Sequence, residues 1–198
     1  MNRGTLRAII VGAALCLGSE GTGWALEFTA ERTTRVDGQS RKASLYYRDE
    51  MWRVEYYDGG AVNAMIVRKD KGLTWLLMTR VKQFKTVAYE KEFAPKLSAH
   101  LDGEVARQEI GRELLNGHPT IVYRVTVRTG SGSTEVYYQW LAMDLGLPLR
   151  VASKDRDWLT EYTDLRLTSV SDFMFRPPRD YQPVAETVAK VARPSRNP

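Results

Sequence analysis

Apolar and polar residues alternate in short runs along most of this chain. Around Ile121, Tyr123 and Val125, apolar residues alternate with Arg124 and Thr126, as in a strand with one face in a core and the other in water. Similar runs rich in Val, Tyr, Trp, Thr and Leu recur, and no long 3.6-residue stripe competes with them. The pattern predicts strands near residues 26–36, 41–48, 51–57, 62–69, 73–79, 83–90, 104–115, 119–129, 134–142, 147–153 and 158–168.

Turn-forming sequences separate these runs. Connections this short join antiparallel neighbours, because a parallel crossover needs about a dozen residues or more. We therefore expect a meander of hairpins. The predicted turns are Asp37-Gly38, Asp58-Gly59-Gly60, Asp70-Lys71-Gly72, Asn116-Gly117, Gly130-Ser131-Gly132-Ser133 and Lys154-Asp155-Arg156-Asp157.

One internal segment has helical spacing. Phe93, Leu97 and Leu101 are four residues apart, and Pro95 would lie in the first turn, which predicts a short helix over residues 93–101 that acts as a plug or lid. Residues 183–198 are poor in large apolar side chains, so we expect a flexible tail with at most a frayed helical turn at residues 186–191.

Residues 73–78 and 136–141, which lie within two of the predicted strands, carry large side chains on both faces, so both faces should be covered there. One short helix cannot cover two broad faces, and a wide twisted sheet closes into a barrel, splits into a sandwich or stays half-open around an apolar concavity. The predicted fold is mainly β, a curved antiparallel sheet that forms an incomplete, half-open barrel with one or two short helices as lid.

The first 25 residues resemble a secretory signal peptide. Arg3 and Arg7 precede an uncharged apolar run over residues 8–18, and Gly23 and Ala25 supply small residues for a peptidase. We expect cleavage after Ala25, a periplasmic location, one β domain over residues 26–182 and the tail over 183–198. The apolar run is shorter than the roughly 20 residues of a membrane-spanning helix. Cys16, the only cysteine, lies within the leader, so the mature chain is expected to have no disulfide.

The formal net charge of the chain is +5, and its basic residues are scattered singly or in pairs. This distribution is typical of a solvated sheet face, with transient contact to anionic membrane surfaces as the alternative. Export argues against a nucleic-acid partner. With two histidines, His100 and His118, the sequence predicts no metal site, no cofactor and no catalytic residues. A hydrolase would need one of them beside a carboxylate and a hydroxyl.

The order of several short motifs resembles the LolA/LolB-like superfamily of outer-membrane lipoprotein carriers and lipoprotein-sorting proteins, over most of the predicted mature chain. The motifs are Phe28-Thr29-Ala30 with Val36-Asp37-Gly38, Trp52-Arg53-Val54-Glu55, residues 66–75, Leu114-Leu115-Asn116-Gly117-His118-Pro119 leading into Tyr123-Arg124-Val125, Tyr137-Tyr138-Gln139-Trp140-Leu141, and Phe173-Met174-Phe175-Arg176-Pro177-Pro178.

The resemblance implies a half-open barrel that holds lipid or lipoprotein acyl chains in an apolar hollow, by burial and without chemistry. For each residue expected to line that hollow, the alternative is an ordinary place in the core. The alternative function is a cell-envelope protein-interaction module with a filled β core. The residues expected to line the cavity are Trp52, Val54, Leu73, Trp75, Leu77, Phe84, Tyr138 and Trp140.

Overall fold

The runs of alternating residues form eleven antiparallel strands and one short additional strand in a computed structural model that describes residues 26–184. The predicted signal peptide and residues 185–198 of the predicted tail lie outside the described residues. The strands are β1 (Glu27–Val36), β2 (Gln39–Arg48), β3 (Met51–Tyr56), β4 (Ala64–Arg68), β5 (Leu73–Met78), β6 (Gln83–Ala88), β7 (Glu104–Leu115), β8 (His118–Arg128), β9 (Thr134–Ala142), β10 (Pro148–Ser153), β11 (Trp158–Leu167) and β12 (Gln182–Pro183).

All twelve strands belong to one sheet, with the order β12-β6-β5-β4-β3-β2-β1-β11-β10-β9-β8-β7. The chain forms one meander from β1 to β6 and a second from β7 to β11. The pairing of β1 with β11, with Thr34 opposite Thr160, joins the two meanders. The sheet ends at β7 on one side and at β12 on the other, so the predicted incomplete barrel is confirmed. Within residues 26–184, no helix is long and apolar enough to span a membrane.

Two of the hairpin turns show why the predicted turn sequences occur where they do. Asp37 and Gly38 have φ angles of 48° and 78°, and Asn116 and Gly117 have φ angles of 53° and 86°. Two successive positive φ angles match the right-handed twist of the flanking strands, and Asp, Asn and Gly adopt them most readily. The register of both hairpins therefore follows from local sequence.

The inner face of the sheet, on which the connection between β6 and β7 lies, holds the main core. Leu76 on β5 and Trp158 on β11 line the same cavity, although four other strands lie between β5 and β11 in the sheet. A flat sheet would hold these strands roughly 24 Å apart at about 4.8 Å per strand, so the sheet must curve around its inner face. The buried apolar residues of this core are Phe28, Ala30, Ala43, Leu45, Trp52, Val54, Met65, Val67, Leu147 and Tyr162.

The connection over residues 89–103, which we call the strap, crosses the inner face. The predicted helix over residues 93–101 is wrong, because the strap has only a 3₁₀ turn at Lys91–Phe93 followed by irregular backbone. Two of its amide groups donate to side chains of the sheet: Lys96 N–H to the Tyr162 hydroxyl and Leu101 N–H to the Glu104 carboxylate. The expected lid position is nevertheless occupied, since Phe93, Ala94 and Leu97 pack against the inner core.

The outer face of β3 to β6 is covered by a segment that the sequence did not single out as a cover. Residues 168–181 fold across it, with Val170 and Phe175 buried against Ile66 and Leu77. The Arg48 guanidinium donates to the Val170 carbonyl and the Glu27 carboxylate accepts from Val170 N–H, which holds the segment in place. This cover explains why residues 73–78 carry large side chains on both faces.

Candidate functional site

Buried polar side chains of the inner face hold the strap over the sheet. Trp52 Nε1 donates to the Phe93 carbonyl at 3.1 Å, and the Tyr162 hydroxyl accepts from Lys96 N–H at 2.9 Å. Burial raises the pKa of Tyr162 to about 12, so its hydroxyl is neutral near neutral pH. The first half of the strap is thus attached to both meanders.

A second set of hydrogen bonds holds the other half of the strap. Gln139 is fully buried; its Nε2 donates to the Ser98 carbonyl at 3.1 Å, and its Oε1 accepts from Arg107 at 2.9 Å. Arg107 also donates to the Ala99 carbonyl at 2.7 Å and to Glu104. The Arg107 hydrogen bonds lower the pKa of Glu104 to about 2. Each polar group thereby meets a partner, which a buried network requires.

A half-open cavity of about 460 Å³ lies between the strap and the second meander. Strand residues from β8 to β11 form its floor, and strap residues form its roof. Trp158 and Tyr137 meet edge to face there, with ring centroids 6.0 Å apart. Burial, followed by a hydrogen bond to Glu135, raises the pKa of Tyr137 to about 12. The apolar lining consists of Ala94, Pro95, Leu97, Leu101, Val127, Tyr137, Val151 and Trp158.

A larger half-open cavity of about 660 Å³ lies on the other side of the strap, over the first meander. Residues 94–96 and Trp158 line both cavities, so the strap separates two parts of one continuous inner surface. Both volumes lie within the roughly 300–1,000 Å³ of typical small-molecule sites. The larger cavity is lined by Arg32, Thr34, Val36, Arg41, Tyr56, residues 60–62, Met65, Leu76, residues 92–96, Trp158, Thr160 and Tyr162.

The eight residues expected from the sequence to line a cavity occupy three places. Trp52 and Val54 are buried in the inner core beneath the strap. Leu73, Trp75, Leu77 and Phe84 project from the outer face, where residues 168–181 cover most of them. Tyr138 and Trp140 lie on the outer face of β9, because alternation places them opposite the inward Gln139. None of the eight lines either inner cavity.

The residues that do line the cavities were missed because the sequence does not state which face is inner. One feature of the sequence could have indicated the inner face: Gln139 is a single polar residue among large apolar ones in β9. A polar residue ordinarily marks the wet face, yet Gln139 is buried because the strap offers it a carbonyl. Trp158 was not predicted to line the cavity, because it is the first residue of β11 and directly follows a charged turn.

The two histidines each face a carboxylate. His118 Nδ1 lies 2.7 Å from Asp144 Oδ2, and His100 Nδ1 lies 3.3 Å from Glu104 Oε1. Hydrogen bonding to His118 lowers the pKa of Asp144. Neither ring forms a hydrogen bond with a serine or threonine hydroxyl in the part of the chain that the structure describes. No cluster of three potential metal ligands occurs between residues 26 and 184.

Comparisons with known proteins identify related folds but no family. No protein-family model matches the chain, and no curated protein matches it by sequence. An uncharacterised conserved protein from Thermus thermophilus is similar in structure, with a TM-score of 0.55 and 13% sequence identity, over 80% of this chain and 90% of that chain. The solved structure of MucB is similar with a TM-score of 0.57 and 17% identity, over 78% of this chain and 58% of that chain. This chain therefore spans a little over half of MucB.

MucB also occurs among these structures with a protein partner. The MucA/MucB complex of Pseudomonas aeruginosa matches with a TM-score of 0.53 and 17% identity, over 78% of this chain and 56% of that chain. A LolA superfamily protein from Nitrosomonas europaea is also among the solved structures found, at a TM-score of 0.37, with 12% identity over 77% of this chain and 90% of that chain.

Proposed function

We propose that this chain is an exported, periplasmic carrier that binds a lipid, or the acyl chains of a lipoprotein, on the inner face of its half-open barrel. The main support for this proposal is the apolar surface that lies on both sides of the strap. Trp158 belongs to this surface in both cavities. The signal-peptide pattern of residues 1–25 supports export. The motif resemblance to lipoprotein-sorting proteins supports the choice of ligand.

Such a site would bind its ligand by burying the acyl chain, without covalent chemistry. Each methylene removed from water contributes about 0.8 kcal/mol, so an acyl chain of ordinary length supplies several kcal/mol. Association and ordering costs offset part of this gain, and micromolar affinity corresponds to about 8 kcal/mol. A half-open site that holds its ligand at this affinity can also release it, as a carrier requires.

Replacement of Trp158 tests the location of the site. Trp158→Ala should weaken the binding of a fluorescently labelled fatty acid to the purified chain roughly tenfold, equivalent to about 1.4 kcal/mol. Trp140→Ala is the matched control: its indole lies on the outer face beneath the Arg150 guanidinium, and it belongs to the set predicted from sequence. Binding lost with Trp140→Ala and retained with Trp158→Ala would favour the sequence-based set instead.

A protein-interaction module is the second candidate function, and the free edge of the sheet favours it. Among residues 26–184, β8 is the only strand paired with β7, and Val105, Ile110 and Leu114 on β7 are exposed. A free edge strand can pair with an extended segment of another protein. The MucB structures determined with MucA give this candidate a structural parallel.

Site-specific cross-linking tests the second candidate. A photo-activated side chain at Ile110 should trap a protein partner in intact cells, whereas the same side chain at Arg35, on another exposed strand position, should not. Equal adducts at both positions, or none at Ile110, would remove the support for this candidate.

A further inference from the structure

Arg32 brings a positive charge into the larger cavity. It lies on β1, where the register places it between Ala43 of β2 and Tyr162 of β11 on the inner face. Its side chain lines the cavity, and its Nε is buried without a hydrogen-bond partner in the described part of the chain. None of the ion pairs found between residues 26 and 184 includes Arg32.

The other arginines named on the inner face have partners. Arg107 is bonded to Glu104 and to the Ala99 carbonyl of the strap. Arg41 pairs with Asp58, and its guanidinium lies 3.5 Å from the centroid of the Tyr56 ring. A partly buried guanidinium without a partner is costly to retain. Arg32 is therefore the one inner-face arginine among the described residues whose fork of donors is available to a ligand.

The remaining charges around the cavity do not cancel that of Arg32. Lys96 of the strap lines the same cavity and adds a second cation. The lining also contains the carboxylate of Glu92, which forms no ion pair within the described chain. One carboxylate cannot neutralise both cations. The charge of Arg32 also reaches Tyr162, where it opposes the effect of burial on the pKa of the phenol. The wall formed by β1 and β11 is thus electropositive.

The opposite wall of the cavity is apolar. Met65 on β4 and Leu76 on β5 line it, and Trp158 lines both this cavity and the smaller one. An elongated molecule could place an acidic head at Arg32 and extend its tail over these side chains. Guanidinium groups bind carboxylates and phosphates through paired, charge-assisted hydrogen bonds, which favours those two head groups.

We propose that the ligand is an anionic amphiphile whose carboxylate or phosphate monoester binds the Arg32 guanidinium while its acyl tail lies along the apolar wall of the larger cavity. This inference rests on the proposed function and adds the chemical class of the ligand. It makes Arg32 the residue that distinguishes acidic from neutral lipids.

Equilibrium dialysis of the purified chain with radiolabelled dodecanoic acid, dodecyl phosphate and dodecan-1-ol tests the proposal, because the three probes share one tail. We expect the wild-type chain to bind at least one of the two acids about tenfold or more tightly than the alcohol, in line with a charged hydrogen bond. The stronger of the two acids identifies carboxylate or phosphate as the head group.

Two variants locate the effect. Arg32→Gln should lower the affinity for the acid about tenfold and leave that for the alcohol unchanged, and Arg32→Lys should retain part of the preference. Arg35→Gln is the matched control, since Arg35 lies on the same strand but projects from the other face. Equal binding of acid and alcohol by the wild type would overturn the assignment of Arg32 and leave the carrier function standing. Binding of no probe would overturn both.

Discussion

At the scale of single residues, Tyr162 supports the site from beneath. Its ring is buried in the inner core, and its hydroxyl is the acceptor for Lys96 N–H of the strap. Tyr162→Phe should lower the free energy of unfolding by about 1–3 kcal/mol, because it leaves the strap amide without its partner. Chemical denaturation measures the change. Tyr46→Phe, which alters a ring on the outer face, should cost less than half as much, and equal costs would contradict this role.

Glu104 makes the attachment of the strap sensitive to acid. Arg107 lowers the pKa of the folded carboxyl from 4.5 to about 2, so the ionised form stabilises the fold. That contribution is complete above about pH 4.5 and declines as the pH falls towards 2. The difference in unfolding free energy between wild type and Glu104→Gln should therefore shrink over this range, as urea titrations at several pH values can measure.

The exposed pair of Glu109 and Arg112 on the same strand supplies the control for this pH effect. It has the same three-residue spacing, but both of its side chains face solvent. Glu109→Gln should change stability by less than about 0.5 kcal/mol at any pH. A pH dependence as large as that of Glu104→Gln would show that burial of the Glu104 pair is unimportant.

At the scale of elements, Gly103 sets the path by which the strap enters β7. Its φ is +72°, and a Cβ there would lie 2.6 Å from the Arg128 carbonyl oxygen. Gly103→Ala should destabilise the fold by about 1–3 kcal/mol more than Gly117→Ala. Gly117 also has a positive φ, yet its Cβ would meet no atom within 4 Å. Thermal unfolding of the two variants makes the comparison, and equal melting temperatures would contradict it.

The strands could be predicted from sequence because their determinants are local. Turn pairs such as Asn116-Gly117 fix hairpin geometry, and alternation then fixes which residues share a face. The strap could not be predicted, because its conformation depends on partners distant in sequence, such as Tyr162 and Gln139. Phe93 and Leu97 do have helical spacing, but the Lys96 and Leu101 amides of the strap donate to side chains of the sheet and not to a helix.

At the scale of the whole molecule, the pairing of β1 with β11 decides which surface becomes the hollow. This contact joins residues far apart in sequence, with Thr34 opposite Thr160, so the local sequence pattern could not predict it. Coverage of the outer face by residues 168–181 is similarly nonlocal. The half-open barrel could therefore be predicted from the sequence, but the position of its cavities could not. The cavities lie at Trp158 and the strap, whereas Trp75 and Trp140 are on the outer face.

The proposed carrier function requires that the hollow beside the strap holds an acyl chain. Mass spectrometry of an organic extract tests this requirement, with the extract made from the chain expressed with residues 1–25 and purified from the periplasmic fraction. We expect about one acyl-bearing molecule per protein from the wild type and much less from Trp158→Ala. An extract free of lipid, from a chain that also takes up no fluorescent fatty acid, would contradict the account.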